Sequence, residues 1–229
     1  LSSFGITGRT ASQIDRMDAI ADMYDLVPDP LHSTAQSTLD TVTLLDQIDF
    51  VNYQPQGGAV YPSNSTGTAL KSAAALVRAQ VGVEAIAIDV SGWDTHATQG
   101  SATGFLHSLM NTLALSLAAF HRDMFSVASQ TVSMIVHSEF GRQLTENGTQ
   151  GTDHGHGNCM LVLGHNIHGG RVMRQWPGLA AGQLFEGRDL QVTIDYRDIF
   201  AEIVQTRLGN PNLAAVFPAY TPTFRGVTL

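Results

Sequence analysis

At 229 residues, 43% apolar and 14% charged, the chain has the size and composition of a protein with a packed core, which excludes a disordered polymer. A formal net charge of −8 excludes broad electrostatic attraction to nucleic acid or anionic lipid, while a small anionic ester stays open as a substrate. The single cysteine, Cys159, excludes an intrachain disulfide.

The first third, residues 1–80, reads as helical. Ser12, with Asp15 three residues on, has the pattern of an N-terminal cap, and Ile14, Met17, Ala21 and Tyr24 follow at helical spacing until Pro28 and Pro30. Leu39, Val42, Leu45 and Ile48 predict a second helix, and Gly57 to Gly67 a loop rich in turn formers. Leu70 to Gln80 is expected to be a third helix, ending before Gly82. The period then changes. Ala85 to Val90 is a short apolar run, as in a strand covered on both faces. A long helix follows, with Leu106, Met110, Leu113, Leu117 and Phe120 near one face. His107, Ser108, Asn111, Thr112 and Ser116 interrupt its apolar run, so it reads as a buried helix, not a membrane span. Thr131–Val136 and Met160–Leu163 are further strands, and Asp195 with Asp198 caps a last helix through Leu208. This alternation predicts a single α/β domain over residues 1–229, with a mainly parallel sheet flanked by helices.

In such sheets ligands bind beyond the carboxyl ends of the strands, and three polar segments fall there. Gly151-Thr152-Asp153-His154-Gly155-His156-Gly157 sets a carboxylate and two imidazoles between small residues, a good ligand set for zinc, manganese or iron. Asp94 and His96 alternate around Thr95, so in extended backbone both project to one side and reach one ion. The alternative is a helix-cap aspartate followed by a surface histidine. Glu139 ends an apolar strand, and Arg142 lies three residues on; together they read as catalytic groups, the arginine as a fork for a tetrahedral oxyanion, or else as a structural ion pair. His165 and His168 are weaker candidates. His32, His107 and His121 lie on helical patterns and read as structural, and His137 as a core residue. Trp93 and Trp176 either wall the site or pack in the core.

Taken in order, these segments resemble a bacterial family catalogued as domain of unknown function fifteen-oh-one. The likeness is carried by Gly92-Trp93-Asp94-Thr95-His96 with Gln99, Ser138-Glu139-Phe140-Gly141-Arg142, and Glu146-Asn147-Gly148 leading into Gly151-Thr152-Asp153-His154-Gly155. It continues through Gly169-Gly170, Trp176-Pro177-Gly178-Leu179, Gly187-Arg188-Asp189-Leu190, Asp195-Tyr196-Arg197 and Val216-Phe217-Pro218, spanning about residues 84 to 218. Members are grouped with the alkaline phosphatase and sulfatase superfamily and are often exported by the twin-arginine route. The resemblance implies an α/β sandwich, a periplasmic or secreted parent protein, and one or two divalent ions, zinc, manganese, calcium or magnesium. By that analogy Asp94 and His96 hold one ion, Asp153 and His154 the same or a second, and Glu139 is a further ligand or a group behind one; His156 joins the set from the residue reading. The superfamily carries its first metal-binding aspartate and its Ser, Thr or modified Cys nucleophile in an N-terminal section whose opening pattern is not found here. The chain is therefore expected to be a C-terminal portion, and nothing marks Thr7, Thr10 or Ser12 as a nucleophile. The expected function is metal-dependent hydrolysis of phosphate or sulfate esters; the alternative is an exported metal-binding protein without catalysis.

Overall fold

The computed structural model describes residues 10–125 and 131–229, with side chains from residue 14 onward. The chain gathers into two compact units, one of Leu1–Ile88 with Ser116–Asp123 and one of Asp89–Leu115 with Met124–Leu229.

In the first unit, α1 (Thr10–Asp25) and α2 (Leu31–Asp46) form a hairpin across the Pro28–Pro30 turn. The first helix opens two residues before Ser12, whose expected cap lies outside the described side chains. At the start of α2 the Asp29 carboxylate accepts the Ser33 N–H at 3.1 Å, satisfying one of the amides a helix start leaves unpaired. Leu39 and Val42 are its buried residues, as the helical spacing predicts. The third helix, α3 (Ser65–Ala79), starts five residues before Leu70. Asn64 is its cap, with the side-chain oxygen accepting the Gly67 N–H at 2.9 Å. Gly67 is needed there, because a Cβ would stand 2.1 Å from the Pro62 carbonyl oxygen.

A long helix, α4 (Phe105–Phe125), supplies the carboxylate at the centre of the first unit. Asp123 is fully buried. Its oxygens accept the Tyr53 and Tyr61 hydroxyls at 2.9 Å each and the Gln56 N–H at 2.7 Å, and Arg78 donates to its backbone carbonyl. These donors replace the water that an ionised carboxylate loses on burial. Burial, then the Asp123 hydrogen bond and charge, push the Tyr53 phenol up to about 12, and the same causes raise Tyr61 further.

In the second unit the strands are short: β1 (Ser133–Val136), β2 (Gly141–Arg142), β3 (His154–Gly155) and β4 (Leu161–Gly164). β1 pairs antiparallel with β4, from Ser133 opposite Gly164 to Val136 opposite Leu161, and β2 pairs antiparallel with β3. The mainly parallel sheet expected from the helix–strand alternation is not assembled among the described residues. A parallel pair needs a crossover, usually a helix, and no helix lies between β1 and β4; the chain leaves as a loop excursion and returns antiparallel. Ala85–Val90 joins no described ladder, so the strand expected there is not formed.

The second core forms where α5 (Tyr196–Arg207) packs Ile199 and Ile203 with Val227 against Ile135, Met160, Val162, Met173 and Ile194. Asp195 caps α5 through the Arg197 N–H, as expected, but Asp198 is no cap residue: it is buried. A short α6 (Leu213–Val216) follows. No helix among the described residues is long and apolar enough to cross a membrane.

Candidate metal centre

Two loops of the second unit carry the site, and backbone bonds hold them side by side. Thr98 and Gln99 donate their N–H groups to the carbonyls of Thr149 and Gln150 at 3.0 and 2.8 Å, and Thr152 donates to Thr95 at 3.3 Å. The Gln99 side-chain oxygen accepts the hydroxyls of Thr95 at 2.7 Å and Thr152 at 2.9 Å. Gly151 is required by this docking. A Cβ there would lie 2.2 Å from the His96 carbonyl carbon and 2.3 Å from its oxygen, both backbone atoms that have no room to yield. Thr98 (φ 45°) and Gln150 (φ 62°) adopt left-handed backbone. For a β-branched residue such as Thr98 that conformation costs on the order of 1–3 kcal/mol. Gly151→Ala is expected to undock the two loops and lower the urea unfolding free energy of this unit by about 1–3 kcal/mol; a variant as stable as the parent would show that the loops separate freely.

Arg142 ties the same two loops from below. Its guanidinium donates from Nη1 to the Thr152 carbonyl and from Nη2 to the Trp93 carbonyl, both at 2.5 Å. Both are backbone partners, so the expected fork for an oxyanion is already occupied by the protein. Nη2 also stands 3.6 Å from the Asp94 carboxylate. Across the ladder Arg142 lies opposite His154, which puts both side chains on one face. Phe140 stacks on His154 at 4.0 Å between centroids, and the Arg142 guanidinium sits 4.7 Å from the other ring in that stack, Phe140 itself.

The result is a convergent group. Asp94 Oδ1 lies 2.6 Å from His154 Nε2 and 3.0 Å from His96 Nε2. Among the described residues, Asp94, His96 and His154 form a trio whose ligand atoms all fall within 4.8 Å of one another. Tetrahedral zinc with ligands at about 2.1 Å separates its ligand atoms by about 3.4 Å, so the two Asp94–imidazole distances need to open by less than about 1 Å, with the two imidazole nitrogens already within 4.8 Å of each other. The hydrogen bond from His154, against slight desolvation, and the His96, His154 and Arg142 charges hold the Asp94 carboxyl below its ordinary range. It is thus ionised and able to ligate. Side chains 45–62% exposed gain little from such ion pairs, because water screens them. Stability alone gives little reason to converge them with a glycine contact and left-handed backbone.

The other expected ligands fall elsewhere. Asp153 stands behind His96, with its Oδ1 3.2 Å from Nδ1. Hydrogen bonds from Asn147 and His96 hold its carboxyl below the ordinary value. His156 is not part of the trio. Its Nδ1 lies 3.0 Å from the Asp189 carboxylate, which also accepts the His156 N–H, and its ring rests on Phe185 at 4.0 Å. Gly155 allows that approach, since a Cβ would sit 2.7 Å from the Asp189 Cβ. Glu139 is exposed and outside the trio. His168 bonds the Gly226 carbonyl, His137 lies against the Tyr196 and Phe200 rings, and Trp176 is half exposed in a separate loop. Asn147 and Asp189 are site residues that no local pattern marks, although they stand inside the Glu146-Asn147-Gly148 and Gly187-Arg188-Asp189-Leu190 motifs.

The model of the family described as Protein of unknown function (DUF1501) matches residues 13–211. No curated protein and no solved structure matches the chain. Since that match runs over most of the 229 residues, the resemblance read from the motifs holds at the level of the family: the chain belongs to DUF1501.

Proposed function

We propose that this protein is a metal-dependent hydrolase of phosphate or sulfate esters, with Asp94, His96 and His154 holding the ion. The observation that carries the reading is the exposed trio itself, built by Gly151, Arg142 and the stacked Phe140 where ion pairing contributes little stability. Two imidazoles with one carboxylate suit zinc, manganese or iron; calcium and magnesium favour all-oxygen sets, so they are the weaker members of the expected list. When bound, such an ion polarises an ester oxygen and lowers the pKa of a bound water. The chain's own part is to keep Asp94 ionised, to fix both ligand loops through Arg142, and to leave the trio open to a substrate. Thr95 and Thr152 donate their hydroxyls to Gln99, and Thr149 donates to the His96 carbonyl at 2.6 Å. The reading takes water as the attacking group and these three hydroxyls as struts between the two loops. An α/β architecture of the superfamily type and an exported parent protein belong to the same proposal and rest on the order of the motifs alone.

The occupied Arg142 fork favours a second reading, a metal-stabilised protein without catalysis. One experiment separates the two. Metal content of the purified protein is measured by elemental mass spectrometry, and turnover of aryl phosphate and aryl sulfate is followed before and after chelation and reloading. Turnover that disappears with the metal and returns with zinc or manganese supports the hydrolase. Bound metal that raises the melting temperature without turnover supports the second reading. A protein that takes up no metal overturns both.

A further inference from the structure

We infer that the centre takes a single ion, and that Asp153 and Asn147 act behind His96 as positioning residues, not as ligands. This rests on the metal-centre reading above. It departs from the two-ion arrangement that the resemblance leaves open.

The His96 ring has a partner at each of its nitrogens. Its Nε2 faces Asp94 within the trio, and its Nδ1 faces Asp153 Oδ1 at 3.2 Å. With Nε2 on a metal, the ring's remaining N–H is on Nδ1 and points at the Asp153 carboxylate. That pairing fixes the tautomer and the ring plane and makes the ligand nitrogen more basic. The oxygen that Asp153 turns to His96 also accepts the Asn147 amide at 2.9 Å.

Asn147 is itself immobilised. Its amide nitrogen donates to the His96 carbonyl at 3.0 Å as well as to Asp153, which uses both of its hydrogens. Its side-chain oxygen accepts the Thr149 and Gly151 N–H groups at 3.0 Å each. The chain His96–Asp153–Asn147 is therefore anchored to the loop that carries Gly151, and the backbone and side chain of His96 are held by the same amide. A second ion on Asp153 would need further ligands, and those expected from the sequence are engaged elsewhere. His154 turns its Nε2 to Asp94, His156 turns its Nδ1 to Asp189, and Glu139 is outside the group.

Cobalt(II) titration of the wild type, Asp153→Asn, Asp153→Ala and Asn147→Ala tests this, read by stoichiometry, dissociation constant and the visible absorption of the bound ion. The metal-free melting temperature is recorded for each variant. The expected result is one ion per chain in the wild type and in both Asp153 variants. The dissociation constants of the Asp153 and Asn147 variants should rise about 10- to 100-fold. The absorption should shift in Asp153→Asn, whose metal-free melting temperature should be unchanged. A merely structural residue would lower that temperature and leave the spectrum alone. Two ions in the wild type falling to one in Asp153→Ala overturns the inference and leaves the metal centre standing. So does a wild-type dissociation constant and spectrum in Asp153→Asn. A wild type that binds no cobalt overturns the metal-centre reading together with this one.

Discussion

Asp94→Ala and His154→Ala are each expected to weaken metal binding by about 100-fold or more while leaving the fold intact. The magnitude follows from the share one ligand carries. Structural zinc sites hold their ion with about 10–16 kcal/mol spread over four ligands, or about 3 kcal/mol per ligand, and about 1.4 kcal/mol is tenfold in affinity. The cost to the metal-free fold is small for a separate reason. Asp94 and His154 are 62% and 47% exposed, so removing either leaves no buried charge without a partner. The two substitutions do not act alike on what remains. Asp94 is the common partner of both imidazoles and lies near Arg142, so its loss takes a partner from His96 and His154 at once and a nearby charge from Arg142. His154 is backed by Phe140, and its loss opens space beside that ring. Competition titration against a chelator of known affinity measures the effect, with far-ultraviolet circular dichroism as the control. Affinity within threefold of wild type in either variant would mean that the trio is not the site.

The sequence already set the Asp94–His96 alternation and the Asp153–His154 pair in loops after apolar runs, and all four residues meet in the folded chain. What it did not show was which imidazole of the glycine-rich loop turns inward. His154 and His156 look equivalent along the chain. They are separated by Asp189, a buried carboxylate 33 residues away that captures His156. Arg142 reads along the chain as a fork for an oxyanion or as half of an ion pair with Glu139, because nothing local shows that two carbonyls, one of them 49 residues distant, occupy it. The fold shows the same division. Helical spacing found α2 and α4, and the cap at Asp195 was local enough to read. The start of α3 is not legible because Ser65, Thr66 and Gly67 read as turn formers, whereas Asn64 caps a helix that tolerates them. The direction of β1 against β4 depends on how the intervening loop returns, which periodicity does not encode. The burial of Asp123, Asp198 and Glu202 is not legible along the chain, where Asp198 reads as part of a helix cap, because charged residues are rarely buried without partners, and theirs lie 22 to 70 residues away in sequence.

Those last two carboxylates carry the largest stability effect expected in the chain. One turn apart on α5, Asp198 and Glu202 are 1% and 2% exposed and bind the segment that ends the chain. Asp198 accepts the Tyr220 hydroxyl at 2.7 Å, the Thr223 N–H at 2.7 Å and the Arg225 guanidinium at 2.6 and 2.8 Å. Glu202 accepts the N–H groups of Arg225, Gly226 and Thr228 at 2.7, 2.9 and 2.8 Å, and the Thr228 hydroxyl at 2.9 Å. These contacts lay Val227 against Ile199 and Ile203. Burial opposes the charge on Asp198, but the Thr223 N–H, the Tyr220 hydroxyl and Arg225 outweigh it and hold its pKa below the ordinary value. On Glu202 burial is likewise outweighed, by the N–H and hydroxyl of Thr228 and the N–H groups of Arg225 and Gly226. Since both folded-state values are depressed, the stabilisation is complete above the unfolded-state values, about 3.9 for Asp and 4.3 for Glu. It is lost as pH falls through the lower folded-state values, where the unfolded chain binds the protons more readily. The unfolding free energy of this unit should therefore hold level from neutral pH to about 5 with respect to these two groups and decline below about 4. Asp198→Ala leaves Arg225 with its charge three-quarters buried and unpaired, a loss on the order of 3–5 kcal/mol. Amide exchange at residues 220–228 should accelerate with it, because the Thr223 N–H loses its acceptor. Urea unfolding of Asp198→Ala at pH 7, with the pH series repeated on the variant, measures both effects. A loss under about 1 kcal/mol, or an acid decline as steep as the parent's, would show that the carboxylate does not hold the closing segment to the helix.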